Sequence, residues 1–250
     1  ALKRVKSTVD AIEGDAIAKK ELNGRLTAYQ NLLFNSLYLN FENADWTFNK
    51  NKVKENNLSS IASLISNEVF KLTPIIHNEL VVRDRLSSMS MNGATILLNR
   101  VFNNSNLKNL GMEGNPSEFG IYLSLIKSNN LHIKKSDEFV ISIENTNNKS
   151  IKTIYDEFLK LIKGSKEAVN VSDIYAHFVK QPYGIKIGLL PILIGIFFKA
   201  TEASCAFYNK DEQGRESLIT EFDQKIAERL YHMPETLKIM FVKIEGEKQI

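Results

Sequence analysis

Apolar residues recur along the chain at helical spacing, interrupted by short alternating runs. From residue 15 to 42 the positions Ile17, Leu22, Leu26, Tyr29, Leu33, Leu37 and Phe41 follow one another at intervals of three to five, the stripe of one long helix that Gly24 weakens without ending. DWTFNKNKVKEN then alternates about a polar tip at Asn49 to Asn51. This predicts a small hairpin, with Trp46 anchoring it on a neighbouring helix. Helical spacing returns in NNLSSIASLISNEVFKLTP, with Leu58, Ile61, Leu64, Ile65, Val69 and Leu72 on the stripe, Asn57 or Ser59 as cap and Pro74 as stop. A further helix is expected from Asn78 to Asn103, with SSMSMNG as the place where it would split. Gly111, Gly114 and Pro116 punctuate the next join. Pro116 suits a first helical position in PSEFGIYLSLIKSNN, whose Phe119, Tyr122, Leu123 and Ile126 share a face. LHIKKSDEFVISIEN reads as two strands and a tight turn. Three helices followed by a hairpin is the element order of a winged helix.

The order then comes round again. Lys149 to Lys163 carries Ile151, Ile154, Tyr155, Phe158, Leu159 and Ile162 on a helix closed by Gly164, and Ser172 is placed to cap DIYAHFV. Ile185 to Lys199 is expected as the most apolar helix. A strand, a turn at Asn209 to Gly214, a returning strand, the helix DQKIAERLYHMP and the strand LKIMFVKI follow. The predicted class is mainly α with small β-hairpins, an α+β protein of three parts: a long N-terminal helix (1–43) and two winged-helix-like modules (44–148 and 149–250), with no exact internal sequence repeat.

QPYGIKIGLLP (181–191) sets two prolines and two glycines against this most apolar stretch. Pro182 and Gly184 predict a tight turn between helices, with Tyr183 packing across it. Gly188 and Pro191 are placed early in the next helix, where the glycine lets a neighbouring helix come close. The glycines read as packing devices rather than a phosphate cradle.

Composition narrows the classes. At 250 residues, 43% hydrophobic and 24% charged, the chain is long and apolar enough for a sizeable core, which excludes disorder as the main state. A net charge of +3 is milder than the basic footprint of a dedicated nucleic-acid binder. Cys205 is the single cysteine, so no disulfide framework or thiolate zinc site can form, and a reducing cytoplasm is the expected compartment. The longest apolar run, Ile187 to Phe198, falls short of the ~20 residues that span a bilayer, and no membrane is expected as partner. The opening residues, helical in character from the start and without an initiator methionine, suggest a segment of something longer; methionine removal before Ala1 is the plainer alternative.

No chemistry-bearing constellation stands out. The pattern GxxxxGK[ST] is absent, and GSK at 164–166 lacks both the upstream glycine and a preceding strand. His77, His132, His177 and His232 are scattered singly, and Cys205 in SCAFY has no neighbour that would favour its thiolate. The expectation is therefore a chain with no catalytic residue, cofactor or metal of its own. In IIHNELVVRDRLSS, Asn78 is a candidate cap, Glu79 and Arg83 an i,i+4 pair, and Asp84 and Arg85 lie on the other flank. That stretch is either an ordinary cap with surface pairs or a docking helix whose Arg83 and Arg85 meet phosphate or a partner's carboxylate. Lys180, Lys186, Lys199, Lys210 and Arg215 fall on the turn, the helix ends and the wing of the second module. There they would contact the phosphates of double-stranded DNA without reading sequence. The helix in the recognition position, IKIGLLPILIGIFFKA, has almost no polar face for bases, and burial is expected of it.

Three stretches together carry a resemblance: DWTFNKNKVKENNLSSIASLISNEVFKLTPIIHNELVVRDRLSS, EGNPSEFGIYLSLIKSNNLH and KQPYGIKIGLLPILIG. Over roughly residues 44–244 the chain resembles the distal, non-catalytic region of large bacterial P-loop ATPases encoded with antiphage defence or restriction systems. The resemblance implies an ATPase domain upstream, in keeping with the missing phosphate-binding loop. Its landmarks fall on Asn78, Glu79, Arg83, Pro182, Tyr183, Gly184 and Gly188, with no catalytic role attached. The expected function is a scaffold or interaction region of a larger ATP-dependent machine whose partner is the upstream ATPase domain or another protein. The alternative is a free-standing winged-helix DNA-binding regulator using Arg85, Lys186, Lys210 and Arg215. An enzymatic reading would need a pocket of converging polar groups, and none can be assembled from the sequence.

Overall fold

The computed structural model describes residues 3, 4, 7, 8, 15–54, 57–211 and 213–242. Packing divides the chain into two compact units, Ala1–Glu68 and Val69–Ile250.

In the first unit, helix α1 (Ala16–Glu42) starts at Asp15, whose carboxylate accepts from the backbone N–H groups of Ile17 and Ala18, both at 3.0 Å. Two of the orphan donors at the helix start are thereby satisfied. The helix runs through Gly24 and ends at Asn43, which donates to the Leu39 carbonyl from both its backbone and its side chain. It buries none of its residues. A hairpin follows, β1 (Thr47–Phe48) and β2 (Asn51–Lys52), turning on Asn49 and Lys50 with φ of 49° and 65°. Two consecutive left-handed residues match the right-handed twist of paired strands. Trp46 stacks on Phe41 of α1 at 6.2 Å, the anchor its position predicts. Helix α2 (Leu58–Val69) begins at Asn57, whose side chain accepts from the Ser59 N–H at 2.8 Å, and buries only Ile61. It stops before Pro74. The Leu72 N–H is taken by the Pro182 carbonyl at 3.1 Å, and the residue preceding a proline disfavours helix in any case.

The second unit opens with an irregular segment and continues through α3 (Ser88–Asn103), a 3₁₀ turn (Lys108–Gly111), α4 (Phe119–Ile121) and a π-helical extension (Tyr122–Lys127). The antiparallel pair β3 (His132–Lys135) and β4 (Glu138–Ile141) follows, turning on a left-handed Ser136. Then come α5 (Lys149–Gly164), β5 (Val169–Asn170), α6 (Val171–Val179), α7 (Leu190–Thr201), β6 (Cys205–Lys210), β7 (Glu216–Leu218), α8 (Gln224–His232) and β8 (Leu237–Phe241). The second sheet is antiparallel in the order β5-β8-β6-β7. Lys243 and Ile244, expected to close the last strand, lie outside the described residues, as do most of positions 1–14 and position 212 of the expected turn.

Helix α7 is the centre of the core: Leu190 through Phe197 are all buried. Around it lie Leu97, Leu98 and Val101 of α3, Ile151, Ile154 and Phe158 of α5, Phe178 of α6, and Phe207 and Ile239 of the sheet. A Cβ on Gly195 would stand 2.4 Å from Leu98 Cδ2, so the glycine sets how closely α3 and α7 approach.

The mainly helical α+β class is as the sequence indicates. The packing boundary, however, falls at 68/69, and residues on both sides of 148 share one core. Helix α2 up to Glu68 belongs to the first unit, and β8, from the end of the chain, lies between β5 and β6.

Three helix starts differ from expectation, two of them for a hydrogen-bonding reason. The Asn78–Ser87 stretch is not helical, and α3 begins at Ser88 with Ser87 accepting from the Ser90 N–H at 3.2 Å. Upstream, Asn78 accepts from the Leu80 N–H, Arg83 donates its N–H to the Val81 carbonyl, and the Arg83 carbonyl is taken by Gly188. Helix α6 starts one residue before Ser172, with Asn170 in the cap position and no side-chain capping bond. Helix α7 starts at Leu190 rather than Ile185, because the Ile185 and Gly188 N–H groups bond to the Phe178 and Arg83 carbonyls and leave 185–189 as a loop. Pro191 then sits in the first helical turn, where its missing N–H costs nothing.

Candidate functional site

The loop 78–87 and the loop 182–189, about a hundred residues apart in sequence, are joined in the second unit. Gly188 donates its N–H to the Arg83 carbonyl at 2.8 Å, Lys186 pairs with Asp84 at 2.8 Å, and the Tyr231 hydroxyl donates to the Gly188 carbonyl at 3.2 Å. A Cβ on Gly188 would lie 2.7 Å from the Arg83 oxygen and 2.8 Å from the Val81 oxygen. The glycine expected to admit a neighbouring helix thus admits the backbone of a loop.

The neighbouring turn is held in the same way. Gly184 has φ +57°, and its missing Cβ would meet Phe70 Cδ1 at 2.5 Å. Tyr183 is buried with its ring 5.1 Å from that of Phe178 and 5.3 Å from that of His177; its carbonyl accepts from Thr73, and that of Pro182 accepts from Leu72. Asn78 donates to Ser124 Oγ at 2.7 Å, and Glu79 reaches Arg83 at 3.8 Å with both side chains exposed. Arg83 and Arg85 therefore stand on a bent loop, and the docking helix expected there does not form.

A cleft of about 600 Å³ opens beside this junction, lined among others by Asp84, Arg85, Asn92, Glu228, Tyr231 and His232. Its volume suits a small ligand. Three of its polar groups hold the walls, Asp84 with Lys186, Tyr231 with Gly188, and Thr95 with the side-chain amide of Gln224 at 2.9 Å, while Arg85, Glu228 and His232 are exposed along it. Burial pushes the hydroxyls of Tyr231 and Tyr175 up, so they stay protonated, and Tyr175 donates to the Leu230 carbonyl at 3.0 Å.

The basic candidates divide between places. Lys186 and Arg85 lie at the junction; Lys210 and Arg215 lie at the β6–β7 turn. Three of the cations proposed for phosphate contact have a carboxylate at hand: Lys186 with Asp84, Arg215 with Asp211 at 2.7 Å, and Lys199 with Glu202 at 2.7 Å. The Arg215 pair, reinforced by its backbone N–H, closes the turn and holds the Asp211 carboxyl below its ordinary range. Lys180 lies exposed at the end of α6.

His132 is buried and satisfied, accepting from the Tyr122 hydroxyl at Nδ1 (3.0 Å) and donating from Nε2 to the Ser105 carbonyl (2.9 Å). Desolvation lowers its pKa, which favours this neutral tautomer. His77 and His232 are exposed, and His177 Nε2 lies 3.5 Å from Glu157. Burial pushes the Cys205 thiol up. Sequence reasoning missed one buried ion pair, Arg100 with Glu118 at 2.9 Å; a spacing of 18 residues carries no signal for it.

The first unit carries a different feature. On α1, Leu32, Leu33, Phe34, Leu37, Tyr38, Leu39 and Phe41 are all exposed, Phe34 by 67%. Between Arg25 and Glu42 the helix holds no charged residue. The stripe read from the sequence predicts a buried face, yet none of the helix's residues is buried.

No protein-family model, curated protein or solved structure matches the chain.

Proposed function

We propose that the chain is a non-catalytic interaction region of a larger bacterial assembly, working through α1. The observation that carries this reading is the apolar surface of α1, of which no residue is buried. Clustered exposed apolar side chains are a liability in solution unless another surface covers them. The second unit lends support from the other side, because Asp84, Lys186, Tyr231 and Asn78 are used to fasten its loops. Its place in an ATP-dependent protein of antiphage defence, with an ATPase domain as partner in the cytoplasm, is proposed on the residue resemblance alone.

The regulator reading has less support. A helix that enters the major groove must present polar side chains, and α7, the helix the sequence puts forward for recognition, is buried from Leu190 through Phe197. The cations at its flanks are largely paired with carboxylates.

Native-state hydrogen exchange on the Leu33→Asp, Leu37→Asp double variant tests the interaction reading. Protection throughout residues 69–242 is expected to match the parent, since the replaced side chains belong to a surface for another molecule. Loss of that protection would show α1 to be part of the fold and would sink the reading. Fluorescence anisotropy with duplex DNA at rising salt tests the alternative: binding that falls steeply with salt, and is lost in Lys210→Glu, Arg215→Glu, would favour the regulator.

A further inference from the structure

The cleft beside the loop junction is braced from both sides, and the charges it exposes are those the bracing leaves over. Gln224 and Tyr231 of α8 bond across it, to Thr95 of α3 and to the Gly188 carbonyl, and Asp84 is taken by Lys186. Among the described residues, Arg85 and Glu228 form no ion pair, and both line the cleft. We infer that this cleft binds a small zwitterion with an apolar side chain, the make-up of a free apolar amino acid, with its carboxylate on Arg85, its ammonium group on Glu228 and its side chain against Leu86, Met91 and Ile187. The site lies wholly in the second unit and does not rest on the reading of α1.

Helical spacing and the fastenings fix where the two charges stand. Glu228 lies one turn after Gln224 and one turn before Tyr231 on α8, and both of those neighbours are bonded across the cleft. Its carboxylate therefore stays on the cleft side of the helix. Arg85 is set between Asp84, held by Lys186, and Ser87, which caps α3 by accepting from the Ser90 N–H. The loop before α3 thus supplies the cation, and α8 supplies the anion. Ser88 and Asn92 of α3 add uncharged hydrogen-bonding groups, and His232, one turn beyond Glu228, adds a ring nitrogen. With the walls already braced, a ligand does not have to order them, a cost that otherwise subtracts from affinity.

The mix of signs selects the ligand. A phosphate or other polyanion drawn to Arg85 would come up against Glu228 and Asp84, and a plain cation drawn to Glu228 would come up against Arg85. A molecule carrying both signs leaves neither of the two charges unmatched. A further charge on its side chain would be set against Leu86, Met91 and Ile187, where it would give up water without gaining a partner. The volume of about 600 Å³ holds such a molecule together with bridging water.

Isothermal titration calorimetry of the 250-residue chain with L-leucine tests the site. Saturable heat with one ligand per chain is expected, and L-methionine should give the same. Isocaproate, which lacks only the ammonium group, and isoamylamine, which lacks only the carboxylate, should each bind about tenfold more weakly than L-leucine. Arg85→Gln should remove the difference between L-leucine and isoamylamine, and Glu228→Gln the difference between L-leucine and isocaproate, as expected when each side chain meets one group of the ligand. Both replaced side chains are exposed, and the ligand comparison on the parent chain needs no variant at all. Absence of saturable heat with either amino acid overturns the inference. Isocaproate or inorganic phosphate binding as tightly as L-leucine also overturns it, since the cleft would then be a simple anion site. So does L-leucine binding that is indifferent to both replacements, which would place the molecule elsewhere on the chain.

Discussion

Helices α1 and α7 both carry runs of large apolar side chains, yet the protein uses them in opposite ways. In α7, Leu190 through Phe197 are buried, and even Gly195 is fitted to Leu98 of α3. In α1, 27 residues long, nothing is buried and seven large apolar side chains between Leu32 and Phe41 stand open. Composition separates them in part: α7 holds one charged residue, Lys199, whereas α1 holds Lys19, Lys20, Glu21, Arg25 and Glu42. They differ also in the neighbours at hand: α7 has α3, α5, α6 and a sheet around it, while among the described residues of its own unit α1 stacks Phe41 on Trp46. Apolar periodicity states that a face must be covered and is silent about which molecule covers it.

The largest expected difference between the two helices is in tolerance of charge. Ile194→Asp or Leu190→Asp would place an unpaired carboxylate at the centre of the core, a cost of several kcal/mol against a total stability of ~5–15 kcal/mol, and circular dichroism should show a chain that no longer folds cooperatively. A variant melting with the parent would remove α7 from the core.

Next in size is Gly188→Ala, which should cost about 2–3 kcal/mol by driving a methyl into the Arg83 and Val81 carbonyl oxygens, seen as a lower urea midpoint with unchanged slope. An unaffected midpoint would mean that the junction of the two loops does not constrain the path into α7.

A smaller effect is expected from pH. His132 is buried with its pKa lowered, so below the unfolded value near 6.5 the unfolded chain takes up a proton that the folded one resists. Stability from this group is complete above about 6.5 and falls as pH drops from there toward the lowered folded pKa, and His132→Gln should flatten that slope in urea titrations at stepped pH. The apolar stretch of α1, with no ionisable side chain between Tyr38 and Arg25 other than Tyr29, has no counterpart in that window. The smallest effect belongs to α1 itself: Leu33→Asp should change the stability of residues 69–242 by no more than about 0.5 kcal/mol, the range of ordinary surface substitutions.

Much of the fold is legible in local pattern. Asp15, the stripe from Leu22 to Phe41 and the passage through Gly24 mark α1; the lack of polar positions from Ile187 to Phe198 marks the buried helix. Legibility fails where distant groups compete for backbone hydrogen bonds. Glu79 and Arg83 have helical spacing and do approach each other, but the Arg83 carbonyl is claimed by Gly188, about a hundred residues later, and the chain bends. The same bond shortens α7 at its start. The landmark residues Asn78, Arg83, Pro182, Tyr183, Gly184 and Gly188 prove to be parts of fastenings, which spacing alone cannot reveal because each partner lies on another element. The openness of α1 is illegible for a different reason: a stripe looks the same whether its partner is inside the chain or outside it.

The most direct test sets the two helices against each other in one experiment, by following amide hydrogen exchange of α7 in the parent, in Leu33→Asp, Leu37→Asp and in Ile194→Asp. The account predicts that α7 amides keep the parent's protection when α1 carries the charges and lose it when α7 carries one. Equal loss of α7 protection in both variants would contradict it, because α1 would then belong to the same cooperative structure as the core.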